Sequence, residues 1–389
     1  MTGSSDAVAA PEPVERAHFE VPDDVVYLNC ASLAPRLKAV STAGRAALDR
    51  MAAPWTVRTP DWFRDAKTLS ATFARLIGAP PECATLVPSV SYGVAVAARN
   101  VPLGAGENIV LVDQEYPSNY YSWRRLANER GAAIRTVRSE LGVSLTEAVV
   151  AAIDRDTAVV AVGNCRWTDG CLLDLPRVGQ AARRRGAALV VDASQSLGAY
   201  PLEVSECHPD FLVGVGYKWL LGPYGLGYLY AAERWHADGE PLEESWLHRA
   251  GSDNFTALVD YTPHYNPGAE RFGQGESAQF YLLPMAIAAL AQITAWTPEY
   301  VNRQLRAWTE ELVSRAEPLG FTAPPPEQRA GHMVGLSSAC GFRPDLVSAL
   351  AERGVYVSVR GSCIRVAPHL HSGADALDRF IDALKGLAQ

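Results

Sequence analysis

A chain of 389 residues, 48% hydrophobic and 20% charged, is long and apolar enough to bury one large core and a smaller one. Its 35 Lys and Arg against 43 Asp and Glu leave a formal net charge of −8, and without a long basic run this acidic balance argues against a nucleic-acid partner. No apolar run approaches a membrane span, the first residues lack the regions of a signal peptide, and seven cysteines without a Cys-x-x-Cys pair suit reduced thiols, so a cytoplasmic protein with no disulfide framework and no metal site is expected.

Residues 1–20 are rich in Ala, Pro, Ser and Glu and are expected to form a flexible tail, ordered only near Phe19. Residues 25–35 have the pattern of a short strand entering a loop that carries Ala31 and Ser32. Helical periodicity follows over 38–51 and 62–77, the second stretch stopped by Gly78. Residues 86–98 pass from a short strand through a small polar loop into an apolar helix. Such a loop sets free backbone N–H groups and the Ser91 hydroxyl at a helix N-terminus, where the dipole favours an anion. A simple serine N-cap accounts for the same pattern. Residues 108–112 form a buried strand leading to an aromatic loop with Tyr116 and Asn119. The next strand, 157–163, ends at Asn164, with Arg166 in the loop beyond. A helix with a basic run over 177–185 is expected to present a solvated face.

The most informative stretch is 190–227. Two short apolar runs, 187–191 and 211–215, have the length and bounding breakers of buried strands. The first leads into Asp192. Just past the second stands Lys218, flanked by Tyr217, Trp219, Leu220 and Leu221. Residues beyond strand ends line the ligand crevice of an α/β sheet. An amine among apolar neighbours has a lowered pKa and becomes a nucleophile. A carboxylate at a buried strand end is costly unless it meets a cation. Pyridoxal phosphate complements both, with an aldehyde for the amine and a pyridinium nitrogen for the carboxylate. Taken singly, a surface lysine and a turn-forming aspartate are the commoner readings.

Residues 261–277 are poor in regular structure, and helices are expected over 284–294 and 298–317. A proline-rich break at 323–327 precedes strands at 332–337, 355–359 and 363–366 and helices at 345–352 and 374–387. Arg365 lies in the last strand, a rigid place for a guanidinium fork that binds carboxylates, with Arg360 nearby. His369 and His371 have the look of loop histidines. The chain thus divides into the tail 1–20, an N-terminal segment 21–45, a large domain 46–283 and a small C-terminal domain 284–389.

Asp192, Gln195 and the run Lys-Trp-Leu-Leu-Gly-Pro-Tyr-Gly-Leu-Gly that starts at Lys218 together resemble the class V aminotransferase family of fold-type I pyridoxal phosphate enzymes. The resemblance implies an α/β fold: a large, mostly parallel sheet domain flanked by helices, plus a smaller C-terminal α/β domain. It implies a homodimer with active sites at the subunit interface. Lys218 would be the catalytic lysine that forms the Schiff base, Asp192 would pair the pyridine nitrogen, and Gln195 would contact the phenolic oxygen with Asn164 close by. Val90 and Ser91 align with phosphate-binding residues, and Tyr217 offers a hydroxyl to the same group. Tyr116 stands where cysteine desulfurases stack a histidine on the ring. Arg365 matches the arginine that holds the substrate α-carboxylate, with Arg360 as a second candidate and Ala31, Ser32 and Asn119 as pocket residues. Arg271, Phe272 and Gly275 match a segment that crosses to the neighbouring subunit's phosphate, but Glu276 replaces its threonine. The roles of Glu276 and Arg166 stay open.

The resemblance implies action on an α-amino acid through a Schiff base and a Cα carbanion. Persulfide chemistry is disfavoured, because Tyr116 lacks an imidazole, the connection from Arg360 to Arg365 is tight, and Cys363 lies in a strand. The expected reaction is carbon–sulfur β-elimination of a cysteine S-conjugate in secondary metabolism. Amino transfer is the nearest alternative; epimerisation, decarboxylation-coupled deamination and non-catalytic cofactor binding are further ones.

Overall fold

The structure is a computed structural model that describes residues 15–138 and 143–386. Most of the tail expected over 1–20 therefore lies outside the described residues. Phe19, within them, is buried against Trp296.

In chain order the strands are β1 (Val26–Tyr27), β2 (Ala84–Val87), β3 (Asn108–Val112), β4 (Ala133–Val137), β5 (Thr157–Gly163), β6 (Ala188–Asp192), β7 (Phe211–Val215), β8 (Gly227–Ala231), β9 (Phe321–Thr322), β10 (Val334–Ser338), β11 (Val355–Tyr356), β12 (Ser358–Arg360) and β13 (Cys363–Val366). Seven of them build the large sheet in the order β2-β8-β7-β6-β5-β3-β4. β8 runs antiparallel to β2 and β7; the other pairs are parallel. Strands β3, β6 and β7 are buried at every position, as parallel strands covered on both faces must be. The edge strand β4 instead exposes Ala133 and Thr136. This large, mostly parallel sheet with its helices is the architecture that the resemblance implied.

The helices are α1 (Lys38–Met51), α2 (Arg64–Leu76), α3 (Val90–Asn100), α4 (Pro117–Arg130), α5 (Leu145–Ala152), α6 (Leu175–Arg185), α7 (Val204–Cys207), α8 (Leu282–Trp296), α9 (Pro298–Ala316), α10 (Leu346–Ala351) and α11 (Ala374–Lys385). Leu283, Ala286, Leu290 and Ile293 of α8 join the core beneath the large sheet. Helix α9 spans two cores: Val301 and Leu305 belong to that one, Trp308 and Leu312 to the core of the small antiparallel sheet β12-β13-β10-β9.

Three local readings change. The helix expected from position 62 starts at Arg64, because Thr59–Trp62 forms a 3-10 turn in which Asp61 accepts the Arg58 N–H at 2.9 Å. The strand expected over 355–359 splits, since β11 pairs with β1 while β12 pairs with β13. His369 and His371 are not ordinary loop histidines. Both are fully buried, packed against Phe19 with ring centroids 5.6 and 5.2 Å away.

Candidate active site

The register of the parallel strands brings the site together. Gly163 at the end of β5 lies opposite Asp192 at the end of β6, and Asp192 lies opposite Val213 of β7. Carboxyl ends of parallel strands form the ligand crevice of such sheets. The β7–β8 connection carries Lys218 into it. That connection closes on itself: the Gly222 N–H donates to the Gly216 carbonyl at 2.8 Å, and the Leu221 N–H to the Lys218 carbonyl at 3.0 Å. Leu221 adopts φ 56°, a strained state for a branched side chain that only the surrounding packing sustains. One clamp is Gly198 at φ 89°, where a Cβ would stand 2.7 Å from the Trp219 carbonyl oxygen. The other is the loop after β1, whose Ala34 N–H donates to the Tyr217 carbonyl at 3.1 Å.

Lys218 is 5% exposed and Asp192 7%. Burial pushes the Lys218 amine down to about 8; Asp192 opposes the shift, while Arg365 and Arg360 reinforce it. Burial raises the Asp192 carboxyl, against hydrogen bonding from Ser194 and the attraction of Lys218. The Ser194 N–H reaches Asp192 Oδ1 at 3.0 Å. Asp192 and Lys218 line one cleft, with Glu115, Tyr116, Trp167 and Gln195 among its other walls. Lys218 Nζ stands 5.3 Å from the centroid of the Tyr116 ring and 5.9 Å from that of Tyr217. No hydrogen-bonded ion pair joins Asp192 to a cation among the described residues; its recorded hydrogen bond is to Ser194.

These groups fit pyridoxal phosphate. A buried amine that gives up its proton more readily than an ordinary lysine suits the aldehyde, a buried carboxylate in no ion pair suits the pyridinium nitrogen, and an aromatic face beside the amine suits the ring. Gln195 sits between site and scaffold. Its Nε2 donates to the Ala31 carbonyl at 3.1 Å, and its Oε1 accepts from the Trp219 indole at 3.0 Å, leaving one amide hydrogen for a ligand.

Other expected residues stand around this cleft without lining it, or farther off. Asn164 accepts the Ser196 hydroxyl at 2.6 Å and borders the neighbouring groove. Val90 and Ser91 occupy the first turn of α3. Ser89 is the N-cap, accepting the Tyr92 N–H at 3.2 Å, and the exposed Ser91 hydroxyl is 2.9 Å from that of Ser89. Tyr217 packs on Tyr224 with ring centroids 4.6 Å apart. Gly275 and Glu276 border a separate hollow walled by Trp62, Trp246 and Tyr281.

The residues expected on the substrate side come from separate segments. Arg365 on β13 donates to the Trp167 carbonyl at 2.8 Å and to Ser32 Oγ at 2.6 Å, with Asn29 Oδ1 at 3.5 Å. Arg360 on β12 reaches the same Ser32 Oγ at 3.4 Å. Ala31 precedes Ser32 and is tied to Gln195. Asn119 is buried, accepting the Trp123 indole at 3.2 Å. Arg166 is committed elsewhere: its Nε donates to Asp169 at 2.8 Å in a forked pair.

Two site residues escaped the sequence reading. Glu115 lies in the cleft, where burial raises its carboxyl to about 7 and Asp192 adds to the rise, while the Tyr116 N–H donates to it at 2.8 Å and holds it back. Trp167 packs edge-on to Tyr116 at 5.6 Å and donates its indole to the Gln114 carbonyl at 2.7 Å, and no local pattern distinguishes such a tryptophan from a core residue.

The Aminotransferase class-V family model matches residues 26–374. Isopenicillin N epimerase of Streptomyces clavuligerus is 27% identical over 333 residues, spanning 81% of this chain and 83% of its own length. Kynureninase of Geobacillus thermodenitrificans is 28% identical over 348 residues, spanning 86% of this chain and 81% of its own length. The apo structure of a cysteine desulfurase from Thermococcus onnurineus NA1 has the same fold, with a TM-score of 0.84 at 20% identity over 98% of this chain and 99% of that one. With that family matched along nearly the whole chain, the protein belongs to the class-V aminotransferases and is an enzyme that works with pyridoxal phosphate.

Proposed function

We propose that the enzyme is a carbon–sulfur β-lyase that acts on a cysteine S-conjugate, with Lys218 moving the proton at the substrate Cα. The observation that carries this reading is the buried Lys218 amine, held near 8 beside Asp192 and Tyr116 in one cleft. Bound pyridoxal phosphate supplies the electron sink for the charge left on Cα. Asp192 would hold the ring nitrogen in its protonated form, and Tyr116 would offer the ring an aromatic face. Val90 and Ser91 at the start of α3 hold the phosphate, where backbone N–H groups are free. Arg365 forks the substrate carboxylate, with Ser32 fixing the guanidinium. Lys218 takes the Cα proton and, now an ammonium, returns a proton to the sulfur that leaves Cβ, so one side chain serves both transfers.

Two observations support elimination over persulfide transfer. The Arg360–Arg365 connection is a hairpin in which Arg360 pairs with Cys363, leaving only Gly361 and Ser362 in the turn. Cys363 Sγ sits 3.1 Å from Ser337 Oγ, inside the sheet and not on a flexible loop. A homodimer completes the reading. Trp246 and Tyr281 are partly exposed beside Gly275, away from the Lys218 cleft of their own chain, and so are available to a second copy.

Product analysis on a panel of cysteine S-conjugates tests the reaction. Pyruvate, ammonia and thiol released without any keto acid are the expected products. Stoichiometric amino transfer to an added keto acid, with no thiol release, would replace the lyase by an aminotransferase.

A further inference from the structure

Two guanidinium groups close enough to lower the Lys218 amine have no anion to balance them. Arg365 is 2% exposed, and its Nε has no hydrogen-bond partner. All the partners of its other nitrogens are neutral: the Trp167 carbonyl, Ser32 Oγ and Asn29 Oδ1. Arg360 is half-buried, and its partners are neutral too, the Val359 carbonyl at 2.8 Å and Ser32 Oγ at 3.4 Å. Neither forms a salt bridge among the described residues, while Arg166, one loop away, is fully paired with Asp169.

The strand register puts both groups on one face. Ser358 lies opposite Arg365 and Arg360 opposite Cys363, and side chains two apart along a strand share a side. Both guanidiniums converge on a single hydroxyl, so they stand side by side and at different depths. Arg365 is the inner one. Arg360 is the outer one, its guanidinium carbon 6.0 Å from the Trp167 ring centroid at the wall of the cleft. Two like charges held this close, one of them desolvated, cost free energy until anions arrive.

We infer that the site selects doubly anionic amino acids, with Arg365 taking the α-carboxylate and Arg360 a second acidic group at the end of the substrate side chain. This inference rests on the reading of Arg365 as the carboxylate clamp. Combined with the lyase reading, it makes the substrate a cysteine S-conjugate whose sulfur substituent ends in an acid. A neutral substituent leaves Arg360 uncompensated; an acidic one completes a charge-assisted pair.

Calorimetric titration of the holoenzyme with glutarate and with its monoamide, glutaramate, tests this without turnover. The parent is expected to bind glutarate at least about tenfold more tightly than glutaramate. Arg360→Gln should bring that ratio close to one. Arg365→Gln should weaken both ligands and leave the order unchanged. Equal affinities in the parent, no binding of either ligand, or an unchanged ratio in Arg360→Gln would each overturn the inference. Failure of the lyase reading would show instead in the product assay, and the affinity ratio would stand.

Discussion

At neutral pH an ordinary lysine is almost wholly protonated, but burial brings the Lys218 amine down to about 8. The free base is then a minor but usable share near neutral pH, far larger than in an ordinary lysine. Uptake of pyridoxal phosphate by the apoprotein, followed by its visible absorbance band, should accelerate with pH through a midpoint near 8. Asp192 holds this amine up, so Asp192→Asn should move the midpoint lower. An inflection only near that of free lysine would contradict the burial argument. Lys218→Ala should abolish turnover and the band together; a visible spectrum identical to the parent's would remove the lysine from its role. Asp192→Asn should also cut turnover by roughly a hundredfold or more, the cost of one lost electrostatic partner in a dry site. The fold should survive, because a buried carboxylate with one backbone partner contributes little to stability. If the variant turned over like its parent, the pyridinium pairing would be wrong. Lys218, Asp192 and Arg365 stand out in the sequence as charges at or within strand-like runs, and the roles expected of them come from the family resemblance. Glu115 does not, because a carboxylate in a polar loop looks like any other until the loop folds over Asp192.

Between elements, the decisive contact is where the segment after β6 meets the Lys218 loop. Gly198 and Gly186 both have positive φ, 89° and 74°, but only Gly198 has a neighbour for an added Cβ, the Trp219 carbonyl oxygen at 2.7 Å. Gly186→Ala should therefore cost about 1 kcal/mol of backbone strain and leave cofactor retention unchanged. Gly198→Ala should cost about 1–3 kcal/mol and also displace the lysine loop, lowering cofactor affinity. Chemical denaturation and cofactor retention on gel filtration measure the two effects. Equal retention in both variants would mean that this contact does not set the loop. Most helices and strands were legible as elements, since hydrophobic period and breakers are local. The division of 355–359 into β11 and β12 was not, because the partners β1 and β13 come from opposite ends of the chain.

Across the whole molecule, three segments meet on a cluster of neutral histidines. His332, His369 and His371 surround Trp219 and Phe19, with Trp296 of α8 on the far side. Burial holds them down to about 4, 3 and 4. In the unfolded chain each takes a proton near the ordinary value of 6.5, which the folded chain refuses. Stability therefore rises with pH from about 4 to about 6.5 and is lost as pH falls through that window, by up to about 1.4 kcal/mol per pH unit for each group. The thermal midpoint should drop between pH ~6.5 and ~5, and His369→Asn should flatten the slope. A slope unchanged in that variant would assign the acid sensitivity to other groups.

The order of residues alone determined the elements, the lysine and its carboxylate, and the cofactor chemistry they imply, because strand runs, helix periods and isolated charges are properties of neighbours along the chain. Only the tertiary structure decided what shares a cleft. That Arg360 and Arg365 meet at Ser32, that Glu115 crowds Asp192 and that His369 is buried all depend on contacts between segments far apart in the chain or on the burial they create. Charge and desolvation act through space, and distance in space is what folding supplies.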